Sequence, residues 1–488
     1  MEDDMGGAYK RFAEGRNEGA RLYPRDAGQT LSQGPLIGRL MQKNDTATLT
    51  CDNLGSQMEG VCRLNGMAVF VTGMLPGETG RVVITKTLKT HAFGRLLALE
   101  TISHERQDPP CSHYRRCGGC SCLHMRYEAV LNQKARHIAD CFRRIGGIET
   151  NIPAMAGMAH PFHYRNKMAL PCRDIAGTLR MGFFAPRSHD LIPIRQCLMS
   201  REPGNALKTA AESWLQSAGL PAYHDVTHTG LLRHIVTRVN RKGEAMVILV
   251  VNGAELPHSV SFVRALKELY QGLTSVWLNI NDKRTNVIFG AGQRLLYGVP
   301  TITETLCGIK LSISPQSFFQ INTQQAERLF RIMMEFCAPS IGESLADVYC
   351  GAGAIALIMA GKVREVLGIE ADARAVADAR ENARLNGISN VRFIAAKAEQ
   401  ALPDAVKSGF RPDIVVLDPP RKGLEQAVIE AVAQAAPKRV VYISCSPATQ
   451  SRDARHFLSK GYRVTRMSGV DMFCWTDSIE NVLLLEPV

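Results

Sequence analysis

The chain has 488 residues, too many for one ordinary domain, and its 45% hydrophobic and 21% charged residues exclude a disordered or fibrous protein. Lys and Arg number 58 against 46 Asp and Glu, a formal charge of +12, which points to a polyanionic partner or to an ordinary mildly basic enzyme. No uncharged run reaches the ~18 residues of a spanning helix, and the opening MEDDMGGAYKRF carries acids where a secretion signal needs bases. A cytoplasmic protein with no membrane association is therefore expected. Its fourteen Cys are expected to be metal ligands, catalytic groups or small buried side chains rather than disulfides.

Residues 1–35 are rich in Gly, Arg, Asp and Asn and lack periodicity, the pattern of a disordered tail. Residues 36–103 hold short apolar runs, MAVFVTG, GRVVIT and GRLLALE, with LPGE as a turn, which predicts a small β-barrel. Residues 104–310 open on a Cys-rich loop. A helix from about Tyr127 to Ile145 follows, then strand-like HYRNKMALPC, TLRMGFFA, LLRHIVTRVN, EAMVILVVN and SVWLNIN. An antiparallel α+β domain fits them. This region also concentrates the charge, since residues 101–200 carry fourteen bases and seven acids. From 311 to 488, the runs SLADVYC, EVLGIEA, NVRFIAA, PDIVVLD and RVVYISC alternate with helical patterns, the rhythm of an α/β, doubly wound parallel sheet. Between the second and third runs, Asp372 is placed to cap a helix that Gly387 ends.

The first of these strands leads into Asp347-Val-Tyr349-Cys-Gly351-Ala-Gly353, a turn that lets a ligand approach the backbone at a helix N-terminus. The second ends at Glu370, seventeen residues past Gly353, where a carboxylate can bind ribose hydroxyls. An adenosine-containing cofactor fits, and NAD and S-adenosylmethionine both remain open. The fourth strand runs into Asp418-Pro-Pro-Arg421-Lys-Gly423 and the fifth into Ser444-Cys445-Ser446-Pro447, so Asp418 and Cys445 share the ligand-binding edge of the sheet. A thiolate there suits methylation of a pyrimidine at carbon 5. That carbon becomes nucleophilic only after a thiolate adds to carbon 6, and a separate carboxylate must then remove the carbon-5 proton. By itself, Glu480 in Asp477-Ser-Ile-Glu480 reads as a surface-strand carboxylate.

Cys111, Cys117 and Cys120 are separated by gaps of five and two residues, and Cys197 lies 77 positions beyond Cys120. Four thiolates suit zinc or an iron–sulphur cluster, and the three-plus-one spacing favours the cluster. Cys122 competes with Cys197 as the fourth ligand.

Taken together, CGGC, HYRNK, SFFQIN, DVYCGAG, DPPRKG, SCSPAT and DMF, in this order, resemble the RNA uracil-5 methyltransferase family, in particular its iron–sulphur members acting on 23S ribosomal RNA. The resemblance runs from about residue 36 to 488, and GVCRLNGMAVFVTGMLPGE is similar to a TRAM domain, an OB-like RNA-binding module. It implies Cys445 as nucleophile, Glu480 as base, and Gln320, Tyr349, Gly351, Gly353, Glu370 and Asp418 around S-adenosylmethionine. It also implies Cys111, Cys117, Cys120 and Cys197 as ligands of a [4Fe-4S] cluster, and it leaves Cys122 out. The chain departs from the family pattern at Cys474, where Pro is usual, at Ser478, where His is usual, and at Ala354, where a polar residue is common. The expected enzyme binds RNA, is a monomer by default, and flips its target uridine near Phe318, Phe319 or Phe473. Alternatives are a transfer-RNA T-loop uridine-5 methyltransferase and an NAD-linked iron–sulphur oxidoreductase.

Overall fold

Five short strands close into a barrel in the computed structural model, which describes residues 42–151 and 155–488. The predicted tail, 1–35, lies outside the described residues. The strands are β1 (Thr46–Leu54), β2 (Gly60–Leu64), β3 (Met67–Thr72), β4 (Thr79–Thr87) and β5 (His91–Leu99), joined in the order β1-β2-β3-β5-β4. Pairing of β1 with β4 shuts the barrel and leaves no open edge. Alternate residues such as Val69, Val71, Val82, Ile84 and Leu96 fill its interior. Buried Glu78 accepts from Leu75 N at 2.8 Å and from Arg106 Nη2 at 2.7 Å, which ties down the chain leaving the barrel. The sequence named β3, β4 and β5. β1 and β2 escaped it because TATLTCDNL dilutes the apolar alternation with Thr, Asp and Asn.

A second compact unit begins at Gln107. α1 (Tyr127–Cys141) continues into a π-helical turn, Phe142–Gly146, over the predicted span. The central sheet has seven strands: β6 (Lys167–Ile175), β7 (Thr178–Phe184), β8 (Leu191–Pro193), β9 (Leu232–Val239), β10 (Ala245–Val251), β11 (Leu273–Ile280) and β12 (Gly292–Gly298), in the order β12-β11-β10-β9-β6-β7-β8. Leu207 and Leu215 of α2 (Glu202–Ser217) and Phe262 and Leu266 of α3 (Ser259–Leu269) pack against Leu170, Ile235, Leu249 and Leu278 of the sheet. The sheet is mixed, not antiparallel as expected. β10 and β11 run parallel because α3 forms the crossover that parallel neighbours require. The β13 (Ile302–Leu306) and β14 (Ile309–Ile313) hairpin then leads to α4 (Thr323–Cys337).

The last sheet follows the predicted alternation: β15 (Ser344–Val348), α5 (Ala354–Ala360), β16 (Glu365–Glu370), α6 (Ala373–Leu385), β17 (Val391–Ala395), α7 (Ala398–Lys407), β18 (Ile414–Leu417), α8 (Gln426–Ala435), β19 (Arg439–Ser444) and α9 (Pro447–Ser459). Asp372 accepts from Arg374 N at 2.9 Å as the cap of α6, and Gly387 follows the helix at a φ of 64°. Two more strands, β20 (Tyr462–Val470) and β21 (Glu480–Pro487), complete the order β17-β16-β15-β18-β19-β21-β20. β21 slots antiparallel between β19 and β20, so the sheet is parallel only through β19. The order reverses between β15 and β18, the switch point where open α/β sheets bind ligands.

Candidate active site

At the switch point, backbone donors fix the turn after β15. Asp347, fully buried, accepts from Ala356 N at 2.8 Å and so joins β15 to the first turn of α5. Burial pushes its carboxyl up to about 8, against the opposing pull of that hydrogen bond. Glu370 accepts from Gly351 N at 3.1 Å and from Asp372 N at 2.8 Å, so one carboxylate spans the turn and the start of α6. Gly353 has a φ of 84°, and a Cβ there would meet Ala379 Cβ at 3.0 Å and the Phe393 ring at 3.1 Å. Only glycine satisfies both demands. Tyr349 takes a φ of 72° without that freedom, held by a 2.8 Å bond from its N–H to Ile369 O. The shape of this turn is therefore set by the chain itself.

β18 ends at half-buried Asp418, β19 opens onto half-buried Cys445, and buried Glu480 begins β21. Ser444 pairs with Asn481, so Cys445 and Glu480 lie at the same end of β19 and β21, and the Glu480 charge acts on the Cys445 thiol. The expected surface position of Glu480 is thereby overturned: it is 7% exposed because β21 lies inside the sheet. Burial, then the neighbouring Asp418, pushes the Glu480 carboxyl up to about 8, with Arg421 and Lys134 opposing. Burial likewise raises Asp418 to about 7. The Cys445 thiol is pushed up by burial and next by Glu480, while Arg421 pulls it down. No hydrogen bond from the described residues reaches the Asp418 or Glu480 carboxylate. The loop after Asp418 closes on Asp453, whose Oδ2 accepts from Leu424 N at 2.8 Å and from Tyr442 OH at 2.8 Å.

Sequence reasoning missed how this edge is held. Lys134 of α1, fully buried, pairs with Asp471 at 2.6 Å and donates to the carbonyls of Ser478 at 2.7 Å and Phe473 at 3.2 Å. It grips both ends of the loop that delivers Glu480. Tyr127 OH donates to the other Asp471 oxygen at 2.7 Å and lies 3.4 Å from Cys474 Sγ. The unusual Cys474 and Ser478 thus sit in a loop stiffened by hydrogen bonds. The HYRNK, SFFQIN and DMF stretches also interlock. Asn166 Nδ2 donates to Gln320 O at 2.9 Å, Asn322 Nδ2 to Met472 O at 3.1 Å, and Gln325 Nε2 to Asp471 O at 3.1 Å. Gln320 and Phe319 are half-buried beside this network, Phe473 packs partly against the core, and Phe318 is 78% exposed.

Cys111, Cys117, Cys120 and Cys197 all border one cavity of about 30 Å³, with Arg165 in its wall. Burial raises the first three thiols, and Cys197 adds to each rise, which puts all four within electrostatic reach. Arg165 has no carboxylate partner among the described residues; the groups that favour its cation are Tyr164, Cys120 and Cys197. Four thiols beside a recessed cation make a donor set suited to an anionic thiolate centre. No three His, Cys, Asp or Glu side chains among the described residues close on a single ion position. A multi-iron cluster spreads its thiolates over several irons. Cys122 is fully buried away from the cavity lining and its Sγ donates to Thr476 O at 3.7 Å.

Residues 291–488 match the tRNA (uracil-5-)-methyltransferase family model and residues 41–97 match the TRAM domain. An uncharacterized RNA methyltransferase of Clostridium tetani is 37% identical over 446 residues, covering 91% of this chain and 97% of the relative. One from Caldanaerobacter subterraneus is 39% identical over 435 residues, covering 89% and 96%. The chain belongs to the RNA uracil-5 methyltransferase family. As such it is an S-adenosylmethionine-dependent enzyme acting on RNA, with an N-terminal TRAM barrel. The Pyrococcus abyssi tRNA (uracil-54, C5)-methyltransferase, solved with S-adenosyl-L-homocysteine, shares the fold of this methyltransferase at a TM-score of 0.73. The two are 24% identical, and the match covers 90% of this chain and all of that one. No helix of the described residues is long and apolar enough to cross a membrane.

Proposed function

We propose that this methyltransferase makes 5-methyluridine in 23S ribosomal RNA through a covalent bond between Cys445 and carbon 6 of the uracil. The observation that carries the chemistry is the register of β19 and β21, which opposes a thiol to a buried carboxylate beside Asp418. The Cys445 thiolate adds to carbon 6 and the ring electrons shift toward carbon 5. S-adenosylmethionine supplies the methyl group that carbon 5 takes up. Glu480 then accepts the carbon-5 proton, the double bond re-forms, and Cys445 leaves as thiolate. Burial suits Glu480 to this step, because a carboxyl raised to about 8 is a stronger base than an ordinary one. Gln320, Tyr349, Gly351, Gly353, Glu370 and Asp418 surround the methyl donor in this reading. The uridine must leave its stack to reach Cys445, and Phe318, Phe319 or Phe473 stacks on it in this reading, with Phe318 78% exposed.

Cys111, Cys117, Cys120 and Cys197 hold a [4Fe-4S] cluster in this reading. The reaction transfers no electrons, so the cluster serves structure. A transfer-RNA substrate is the second reading, supported by the match of residues 291–488 to the tRNA (uracil-5-)-methyltransferase family. The test incubates the enzyme and its Cys445→Ala variant with S-adenosylmethionine and RNA containing 5-fluorouridine. Wild type should give an RNA–protein band that survives denaturation, and the variant none. A band in the variant, or no band from a wild type that methylates ordinary RNA, overturns the covalent reading. Mapping the methylated base in total RNA from a host lacking the gene separates ribosomal from transfer RNA.

A further inference from the structure

Three aromatic rings sit on the outside of the barrel, where a small domain normally places polar side chains. In β3 and β5, Val69, Val71 and Ala92 point into the core. By strand alternation, Phe70, His91 and Phe93 point outward and keep part of their surface open. The two strands are parallel and in register, with Ala68 beside His91 and Phe70 beside Phe93. Ring centroids are 5.5 Å apart for Phe70 and His91, 5.9 Å for Phe70 and Phe93, and 5.2 Å for His91 and Phe93. The rings therefore form one continuous patch.

Cations border this patch. Arg63 of β2 pairs with Ala68, Lys86 of β4 with Phe93, and Arg95 follows two residues after Phe93 on β5. All three are exposed. No Asp or Glu occurs anywhere in β2, β3, β4 or β5. Half-open rings edged only by positive charge complement a ligand with flat apolar faces on an anionic backbone.

We infer that the outer face of β3 and β5 is a stacking platform for the bases of an unpaired RNA strand, with Arg63, Lys86 and Arg95 on its phosphates. A duplex fits poorly, because its base faces are covered by their neighbours, whereas splayed bases stack on aromatic rings. The inference rests on RNA as the substrate and not on the proposed covalent chemistry. It makes the barrel a reader of unpaired stretches of the RNA.

The test uses the full chain with Phe70→Ala and Phe93→Ala, singly and together, and the conservative Phe93→Trp. The probes are a fluorescein-labelled single-stranded RNA dodecamer and a hairpin duplex of the same sequence. Thermal melting and S-adenosylmethionine binding check that the variants fold. The wild type should prefer the single strand. Each alanine should weaken that binding by about ten-fold, since a stacked base contributes roughly 1–3 kcal/mol, and Phe93→Trp should restore it. KM for RNA should rise while kcat at saturating RNA stays constant. Lys86→Ala should weaken both probes and flatten the salt dependence. Equal affinity for duplex and single strand overturns the platform. So does unchanged binding by the double alanine variant, or preferential binding of an acidic peptide over RNA. If that variant binds RNA normally while the wild type still traps 5-fluorouridine, the platform fails and the catalytic reading stands.

Discussion

Two neighbouring edges of the last sheet treat their carboxylates in opposite ways. On the cofactor side, Glu370 accepts from two backbone N–H groups and Asp347 from a third. One strand away, Asp418 and Glu480 have no hydrogen-bond donor among the described residues, and burial raises both as it does Asp347. The first pair holds the backbone in shape, and its bonds are made before any ligand arrives. The second pair is buried without such bonds, which forgoes stability that hydrogen bonds would have provided.

The sharpest way to break the contrast is Glu480→Gln. In the proposed sequence Glu480 acts only after the bond to carbon 6 and the methyl transfer, so methyl transfer should proceed while release fails. Turnover should fall by roughly 10³-fold, within the range for loss of a general base. A denaturing gel should show a methylated adduct on ordinary uridine RNA. The pH dependence has a definite sign. A carboxyl raised to about 8 gains its basic form as pH rises, so release of isolated wild-type adduct should quicken from pH 6 to 9. In Glu480→Gln that rise should vanish, and a persistent rise would remove Glu480 from the role.

Lys134→Met should act next most strongly, because it frees both ends of the loop leading to Glu480. Removing one member of a buried pair costs about 3–5 kcal/mol, so the double change Lys134→Met with Asp471→Leu separates folding from position. In that double variant, kcat should fall about 10- to 100-fold, some adduct should persist, and affinity for S-adenosylmethionine should hold. Unchanged adduct release, measured by rapid quench, would reduce Lys134 to a purely structural role. Cys197→Ser should have the smallest effect on turnover, several-fold. Its clearest signature should be lost iron by metal analysis. Ser121, one residue past Cys120, donates its N–H to Trp475 O at 2.9 Å and so ties the cysteine loop to the segment before Glu480.

Much of this molecule could be read along the chain because local rules governed it. Asp372 capping α6 and the apolar runs of β15 to β19 depend on near neighbours, and Gly351 and Gly353 mark their turn by residue type even though Glu370, Ala379 and Phe393 also shape it. Glu480 could not be placed that way. Its burial comes from β21 entering between β19 and β20, a pairing across distant segments. Lys134, in YEAVLNQKARHIADC, looks like a solvated helix lysine, and its partner Asp471 lies 337 positions away. β10 and β11 were misjudged for a related reason. Each strand is evident, but their relative direction is decided by where α3 crosses.

The pairing of β19 with β21 is all-or-none. A slip by a single position would turn Glu480 to the opposite side of the sheet, leaving Cys445 without its facing carboxylate rather than with a slightly displaced one. Length changes between Asp471 and Ile479 therefore keep this pairing only while the loop absorbs them, and destroy it once they move the strand.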